Sequence, residues 1–287
     1  MEYDDYVQSG KVASKARREG YKMIEEGFEL RKLADYLEDL IRSEGANIGF
    51  PVNLSINHEA AHFTPAPDTD VRFQQGDLVK LDLGAEINGC LADTAVSKEV
   101  TTDKWTSLIK ASEEATENAI KKVKVGALTS EIGREVEATI KRYGYNPIYN
   151  LTGHTLEKYV LHAGTPFPNY DDGSRVRLYP GMTFAIEPFA TTGKGRVKGL
   201  EFGNIMLCLK EDSEDSMKTL RKVSRGLPFS MRDAARTFEN YDYVIKEAQK
   251  KKYLYFYPIL KETKGEMVAQ TEHSIFLRED GPVITTL

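Results

Sequence analysis

LVKLDLGAEINGCLADTAV, residues 78–96, is where the chain declares its architecture. Two apolar-rich runs flank Asn88-Gly89, a dipeptide suited to the type I′ turn of a two-residue hairpin, which needs positive φ at both central positions. With that turn, Ile87 faces Cys90 and Gly84 faces Asp93. Asp82 shares a face with Gly84, so Asp82 and Asp93 become diagonal neighbours, their Cα atoms roughly 7–8 Å apart. Two carboxylates held that way repel unless positive charge lies between them. A pair of divalent cations about 3.5–4 Å apart would meet the need, and two solvated strand acids is the plainer alternative. Asp is depleted in strands and core-type residues flank both positions, which favours the cations.

The chain has 287 residues, room for one large domain or two modest ones, and a net charge of −5 with mixed signs. That balance argues against a dedicated nucleic-acid binder, whose footprint is basic. The start, MEYDDYVQSG, is acidic and polar, unlike a secretory signal. No apolar run approaches the ~20 residues of a membrane span. The two cysteines, Cys90 and Cys208, form no metal-type cluster. Strand alternation turns Cys90 away from Asp82 and Asp93 as a buried thiol, and a reducing, cytoplasmic setting is expected.

Residues 5–45 predict two helices interrupted at Gly27, the second carrying a stripe of Leu30, Leu33, Leu37, Leu40 and Ile41. An extended region follows, IGFPVNLSINHEAAHFTPAP (48–67), then a loop, then the hairpin. After it come a helix over 102–124, capped by Thr102 or Asp103 and closed at Gly126, and another over 129–143, closed at Gly144. Strands are expected at 182–190 and 267–277. The order helix, helix, paired strands thus occurs twice, which suggests duplication in arrangement: an α+β domain with one curved, mostly antiparallel sheet backed by helices. Residues 210–257 break the plan. They contain the helical pattern SMRDAARTFENYDYVIKEAQKKK and read as an inserted helical subdomain, the rest (1–209 and 258–287) forming the main domain. The run Lys250–Lys252 reads as a solvated helix end.

Five histidines occur. His154 lies in NLTGHTLEKYVLHAG, eight residues before His162; His62 ends NHEAAH; His58 and His273 read as structural. Gly153 would let the backbone beside His154 approach a neighbour closely. Glu187 (AIEPF) and Glu272 (AQTEHSIFL) are acids inside apolar strands, where a carboxylate must be paired, protonated or metal-bound. Asp82, Asp93, Glu187, Glu272 and His154 offer mostly hard oxygen with one imidazole, a donor set suited to two ions of Mn²⁺, Co²⁺, Fe²⁺ or Zn²⁺. Four carboxylates roughly balance two dications.

The ordered contexts LDLG, ADTA, GHTL, IEPF and TEHS resemble those of the methionine aminopeptidases of the pita-bread (creatinase/aminopeptidase) fold, over nearly the whole chain. AAHFTP, GH…LHAG, EPFAT and AQ-x-EH, with the insert, are similar to the type II class, in its archaeal form. The resemblance implies two pseudo-twofold halves and removal of the initiator methionine before a small second residue. It implies that Asp82 chelates one metal, that Asp93 and Glu272 bridge, and that His154 and Glu187 hold the other. It further implies that Glu187 moves the water proton, that His62 and His162 contact substrate, and that Phe50, Leu161, Phe189 and Tyr257 build the methionine pocket. Alkylation of His62 by fumagillin-type epoxides is also implied. The partners would be nascent polypeptide N-termini, with proximity to the ribosome, no membrane, no specific nucleic acid, and a monomeric state. Thr271 departs from the pattern, where a bulky apolar residue is more usual. Two rivals share the fold: an Xaa-Pro aminopeptidase or prolidase, which carries a large preceding domain, and a non-catalytic pita-bread protein binding RNA or ribosomes, which loses ligands.

Overall fold

The computed structural model describes residues 2–209 and 215–287; the first part of the insert, 210–214, lies outside the described residues. The chain runs α1 (Glu2–Met23), α2 (Leu30–Ser43), β1 (Asn47–Ile56), β2 (Glu59–Ala61), β3 (Leu78–Ile87), β4 (Cys90–Glu99), α3 (Thr106–Ile120) and α4 (Thr129–Arg142). Short strands β5 (Asn146–Pro147), β6 (Thr152–His154), β7 (Pro166–Pro168), β8 (Thr183–Ile186) and β9 (Phe189–Thr191) follow. Next come β10 (Lys198–Cys208), α5 (Asp215–Ser224), β11 (Phe229–Ser230), α6 (Met231–Thr237), α7 (Tyr241–Lys250) and β12 (Leu254–Lys261). β13 (Val268–Gln270), β14 (His273–Arg278) and β15 (Gly281–Ile284) end it.

The hairpin forms in the expected register, Ile87 opposite Cys90, Gly84 opposite Asp93 and Asp82 opposite Ala95. Asn88 and Gly89 take φ of 52° and 89°, as a I′ turn requires. β1 completes this sheet on the far side of β3. The leucine stripe of α2 packs on it, Leu33, Leu37 and Ile41 joining Leu54, Leu81 and Leu83 in one apolar cluster. In the second half, Leu108 and Ala115 of α3 and Val136 and Ile140 of α4 pack with Phe184, Ile275 and Leu277 of the late strands. Two helices over antiparallel strands thus recur, each pair with its own core.

Hydroxyl groups join the halves. Ala95 and Glu272 exchange backbone hydrogen bonds, at 3.3 and 3.1 Å. On either side a serine replaces a ladder rung. Ser274 Oγ donates to the Asp93 carbonyl and accepts from the Asp93 amide, both 2.8 Å. Ser97 Oγ does the same with Gln270, again at 2.8 Å. This seam brings Asp93 beside Glu272 although 178 residues separate them in the chain.

Three expectations are corrected. α3 begins at Thr106, and neither Thr102 nor Asp103 caps it with a side chain. Glu99 instead holds the turn before the helix, its carboxylate accepting from the Lys104 and Trp105 amides and from the Thr102 hydroxyl. The strands expected at 182–190 and 267–277 are each interrupted, at Glu187-Pro188 and at Thr271-Glu272. Pro188 has no amide to continue a ladder, and Glu272 leaves its own ladder to pair with Ala95. The long strand β10, opposite β12, carried no alternation clear enough to be read. Residues 254–257 of the segment read as helical insert are part of β12.

Candidate metal centre

Every acid and histidine that the sequence singled out for chemistry lines one cavity of about 210 Å³, together with Phe50, Leu161, Phe189 and Tyr257. Asp82 comes from β3, Asp93 from β4 and His154 from the end of β6. Glu187 and Glu272 sit in the two strand breaks. Gly153 earns its place, since a Cβ there would lie 2.2 Å from the Ala185 carbonyl. β6 could not then approach β8. His62 takes a left-handed φ of 68° just after β2, turning its ring toward Tyr257, 5.3 Å away between centroids. His154 and His162 have ring centroids 4.3 Å apart.

Donor atoms of Asp93, His154 and Glu272 all lie within 4.8 Å of one another. His154 Nε2 is 3.6 Å from Asp93 Oδ2 and 3.6 Å from Glu187 Oε1. Its other nitrogen, Nδ1, faces the Thr155 carbonyl, which can only accept. Nδ1 therefore carries the proton and Nε2 presents a lone pair to two carboxylates. Burial lowers the His154 pKa to about 3, so the ring is neutral. Burial raises Asp82 to about 7 and lifts Asp93, Glu187 and Glu272 well above the carboxylate range, their mutual repulsion adding to it. Among the described residues, neither Lys nor Arg lines the cavity. Asp82 Oδ1, Asp93 Oδ1 and Glu272 Oε1 are buried without a hydrogen-bond partner among the described residues. Unshared oxygen and nitrogen lone pairs converging without a cationic side chain fit divalent ions.

The model of metallopeptidase family M24 matches residues 4–210. A methionine aminopeptidase of Methanothermobacter thermautotrophicus is 38% identical over 297 aligned residues, covering 99% of this chain and 98% of that protein.

The chain belongs to the M24 metallopeptidases.

Its place there is with the methionine aminopeptidases, and M24 membership carries use of a divalent metal. Among solved structures, the methionine aminopeptidase of Thermotoga maritima has a TM-score of 0.73 at 24% identity, covering 99% of this chain and 96% of that one. A thermophilic Arx1 reaches 0.84 at 15% identity, covering 99% and 90%. At those identities both comparisons speak for the shared pita-bread fold alone.

Several residues of this M24 site went unread in the sequence. Gln270 Nε2 donates to Asp82 Oδ2 and to Glu272 Oε2, both 3.2 Å, and so ties the acid of β3 to the one in the late strand break. Its position two residues before Glu272, on the same face of a strand, was the available signal. Asn53 lines the cavity opposite Asp82, but two irregularities in the β1–β3 register hid that pairing. Ile205 and Pro228 reach the wall from elements around the insert. His58 and His273 stay outside the cavity, in keeping with structural roles. Thr271 faces away from it, its hydroxyl 3.0 Å from Ser112 Oγ.

Proposed function

We propose that this chain removes the N-terminal methionine of nascent proteins and peptides whose second residue is small, using two divalent ions drawn from Mn, Fe, Co and Zn. One observation carries the reading: four carboxylates and the His154 lone pair converge where, among the described residues, no Lys or Arg side chain lines the cavity. Asp82, Asp93, His154, Glu187 and Glu272 would hold the ions. When bound, such ions supply Lewis acidity, polarising the first peptide carbonyl and making water acidic enough to attack near neutral pH.

The chain's own groups supply the rest. Glu187, desolvated and set beside other acids, has the raised proton affinity of a group that takes the proton of the attacking water and passes it to the leaving nitrogen. His162, its pKa lowered by desolvation, has a ring N–H to give to the developing oxyanion. His62 Nδ1 lies 3.1 Å from the Pro258 carbonyl and so donates to it. Burial lowers His62 to about 4, and the free Nε2 lone pair accepts the scissile amide N–H. Phe50, Leu161, Phe189 and Tyr257 form an apolar wall that favours an unbranched side chain over a charged one, which would lose its hydration there.

The helices between β10 and β12 have an apolar cluster of their own, including Met217, Leu220, Ile245 and Ala248, as a type II inserted subdomain would. Among the described residues no helix is long and apolar enough to cross a membrane, and the reading is of a monomer acting in the cytoplasm near the ribosome. The test is peptide cleavage by metal-stripped chain reconstituted in turn with Mn²⁺, Fe²⁺, Co²⁺ and Zn²⁺. Release of methionine from Met-Gly peptides, with Xaa-Pro peptides left whole, is expected; the reverse preference would refute the reading.

A further inference from the structure

A second cleft, of about 610 Å³, lies on the other side of the seam. Its floor is Ala95, Val96, Thr271 and His273, the backs of the two segments that carry Asp93 and Glu272. Arg17 and Arg18 of α1 form one wall, Glu113 and Glu117 of α3 the other. Thr271 is small where a bulkier residue was expected, and the space above it is open.

The charges in this cleft are not used up by each other. Among the described residues, no carboxylate lies within 4.0 Å of the Arg17 or Arg18 guanidinium, and no Lys, Arg or His within 4.0 Å of the Glu113 or Glu117 carboxylate. Arg17 Nη1 donates to the Thr94 hydroxyl and lies 3.3 Å from His273 Nδ1. Arg18 Nη1 donates to Ser14 Oγ, at 2.6 Å. Arg17 is half-buried, and burial with the neighbouring Arg18 lowers it to about 10, against the pull of Glu272 beyond the seam. On the opposite wall Glu113 is raised by burial and by Glu117, with Lys110 acting against them.

We propose that this cleft binds a small zwitterion of the α-amino-acid class, with its carboxylate on Arg17 and Arg18 and its ammonium against Glu113 and Glu117. A planar guanidinium pairs well with a carboxylate, and charge-assisted bonds of that kind are the stronger ones. Opposite charges set on facing walls, neither paired to the other, select a ligand carrying both signs over one carrying a single sign. The site also touches the metal centre through bonds, since the Thr94 hydroxyl that accepts from Arg17 donates to the Glu272 carbonyl at 2.9 Å. A carboxylate that draws Arg17 toward it therefore acts on the segment holding Glu272.

The proposal does not rest on the reaction assigned to the metal centre, and its test does not read cleavage. Saturation-transfer NMR on the zinc-loaded chain would compare L-alanine, which is zwitterionic, with N-acetyl-L-alanine and L-alanine methyl ester, each lacking one charge. Saturable binding of L-alanine at millimolar concentration is expected, with each blocked derivative at least about tenfold weaker. Arg17→Gln, and separately the pair Glu113→Gln with Glu117→Gln, should each weaken L-alanine about tenfold. The helix-surface glutamates keep the test decisive should Arg17→Gln fail to fold. Absence of saturable binding, equal binding of N-acetyl-L-alanine, or undiminished binding in the glutamine variants overturns the proposal.

Discussion

Asp82 and Gln270 show how much a single side chain decides in this site. Asp82→Asn removes a charge and a donor atom from the ion site but preserves shape. Methionine release should fall by at least about 100-fold, the upper end of what even an outer partner of a metal costs, while circular dichroism stays native. Full activity in that variant would remove Asp82 from the ligand set. Gln270→Leu leaves Asp82 Oδ2 and Glu272 Oε2 without their shared donor, and a loss of about 10–100-fold in metal affinity is expected by competition with a fluorescent chelator. Protons and ions compete for the same oxygens. With Asp82 raised to about 7 and its neighbours well above the carboxylate range, the metal-free folded chain keeps protons that the unfolded chain has released. Where the folded state binds more protons, stability falls as pH rises, here from about pH 4 through 7. Saturating Mn²⁺ should therefore raise the melting temperature more at about pH 7.5 than at about pH 5.5, as scanning calorimetry would show. An equal shift at both would mean these acids are not the ligands.

Among the elements, the β3–β4 hairpin sets the register on which both aspartates depend. Gly89 combines a φ of 89° with a tight fit, since a Cβ there would lie 2.7 Å from the Tyr159 ring. Gly89→Val should cost about 1–3 kcal/mol in urea unfolding, from backbone strain and the displaced ring together. Asn88→Gly, which keeps the turn geometry available, should stay within about 1 kcal/mol. A Gly89→Val protein as stable as the parent would show that the turn is not what fixes the register. The strand breaks at Glu187 and Glu272 make the complementary point. Both were legible as acids in apolar strands, yet the interruption of the strands depends on Pro188 and on the bridge from Glu272 to Ala95, and only the first of these is written locally.

For the whole molecule, the joint between insert and main domain is a buried charge network. Arg232 of α6 pairs with Glu38 and, at 3.1 Å, with Asp35 of α2. It also donates to Thr64 Oγ1 and the Pro65 carbonyl, both 2.8 Å. Glu38 is fully buried, so Arg232→Met leaves a carboxylate that burial already pushes up to about 6 with only the Val52 amide and, at 3.7 Å, Arg236. About 3–5 kcal/mol of stability should be lost, and adding Glu38→Gln should recover part of it by removing the orphaned charge. A double-mutant cycle in denaturant measures both, and additive losses would mean that the two side chains are not coupled.

Local chemistry wrote the hairpin, the α2 stripe, the paired helices and the five candidate ligands into the sequence, because turn dihedrals, helical period and the cost of an acid among apolar neighbours act within a few residues. The seam between the halves, the β10–β12 ribbon and the hold of Glu99 on the turn before α3 were invisible there. Each depends on partners brought together by packing, where Ser97 and Ser274 complete a ladder between distant strands. The cleft behind Thr271 belongs to the same class. A small residue beside unpaired arginines becomes a cavity only when two helices from different halves are held apart across it.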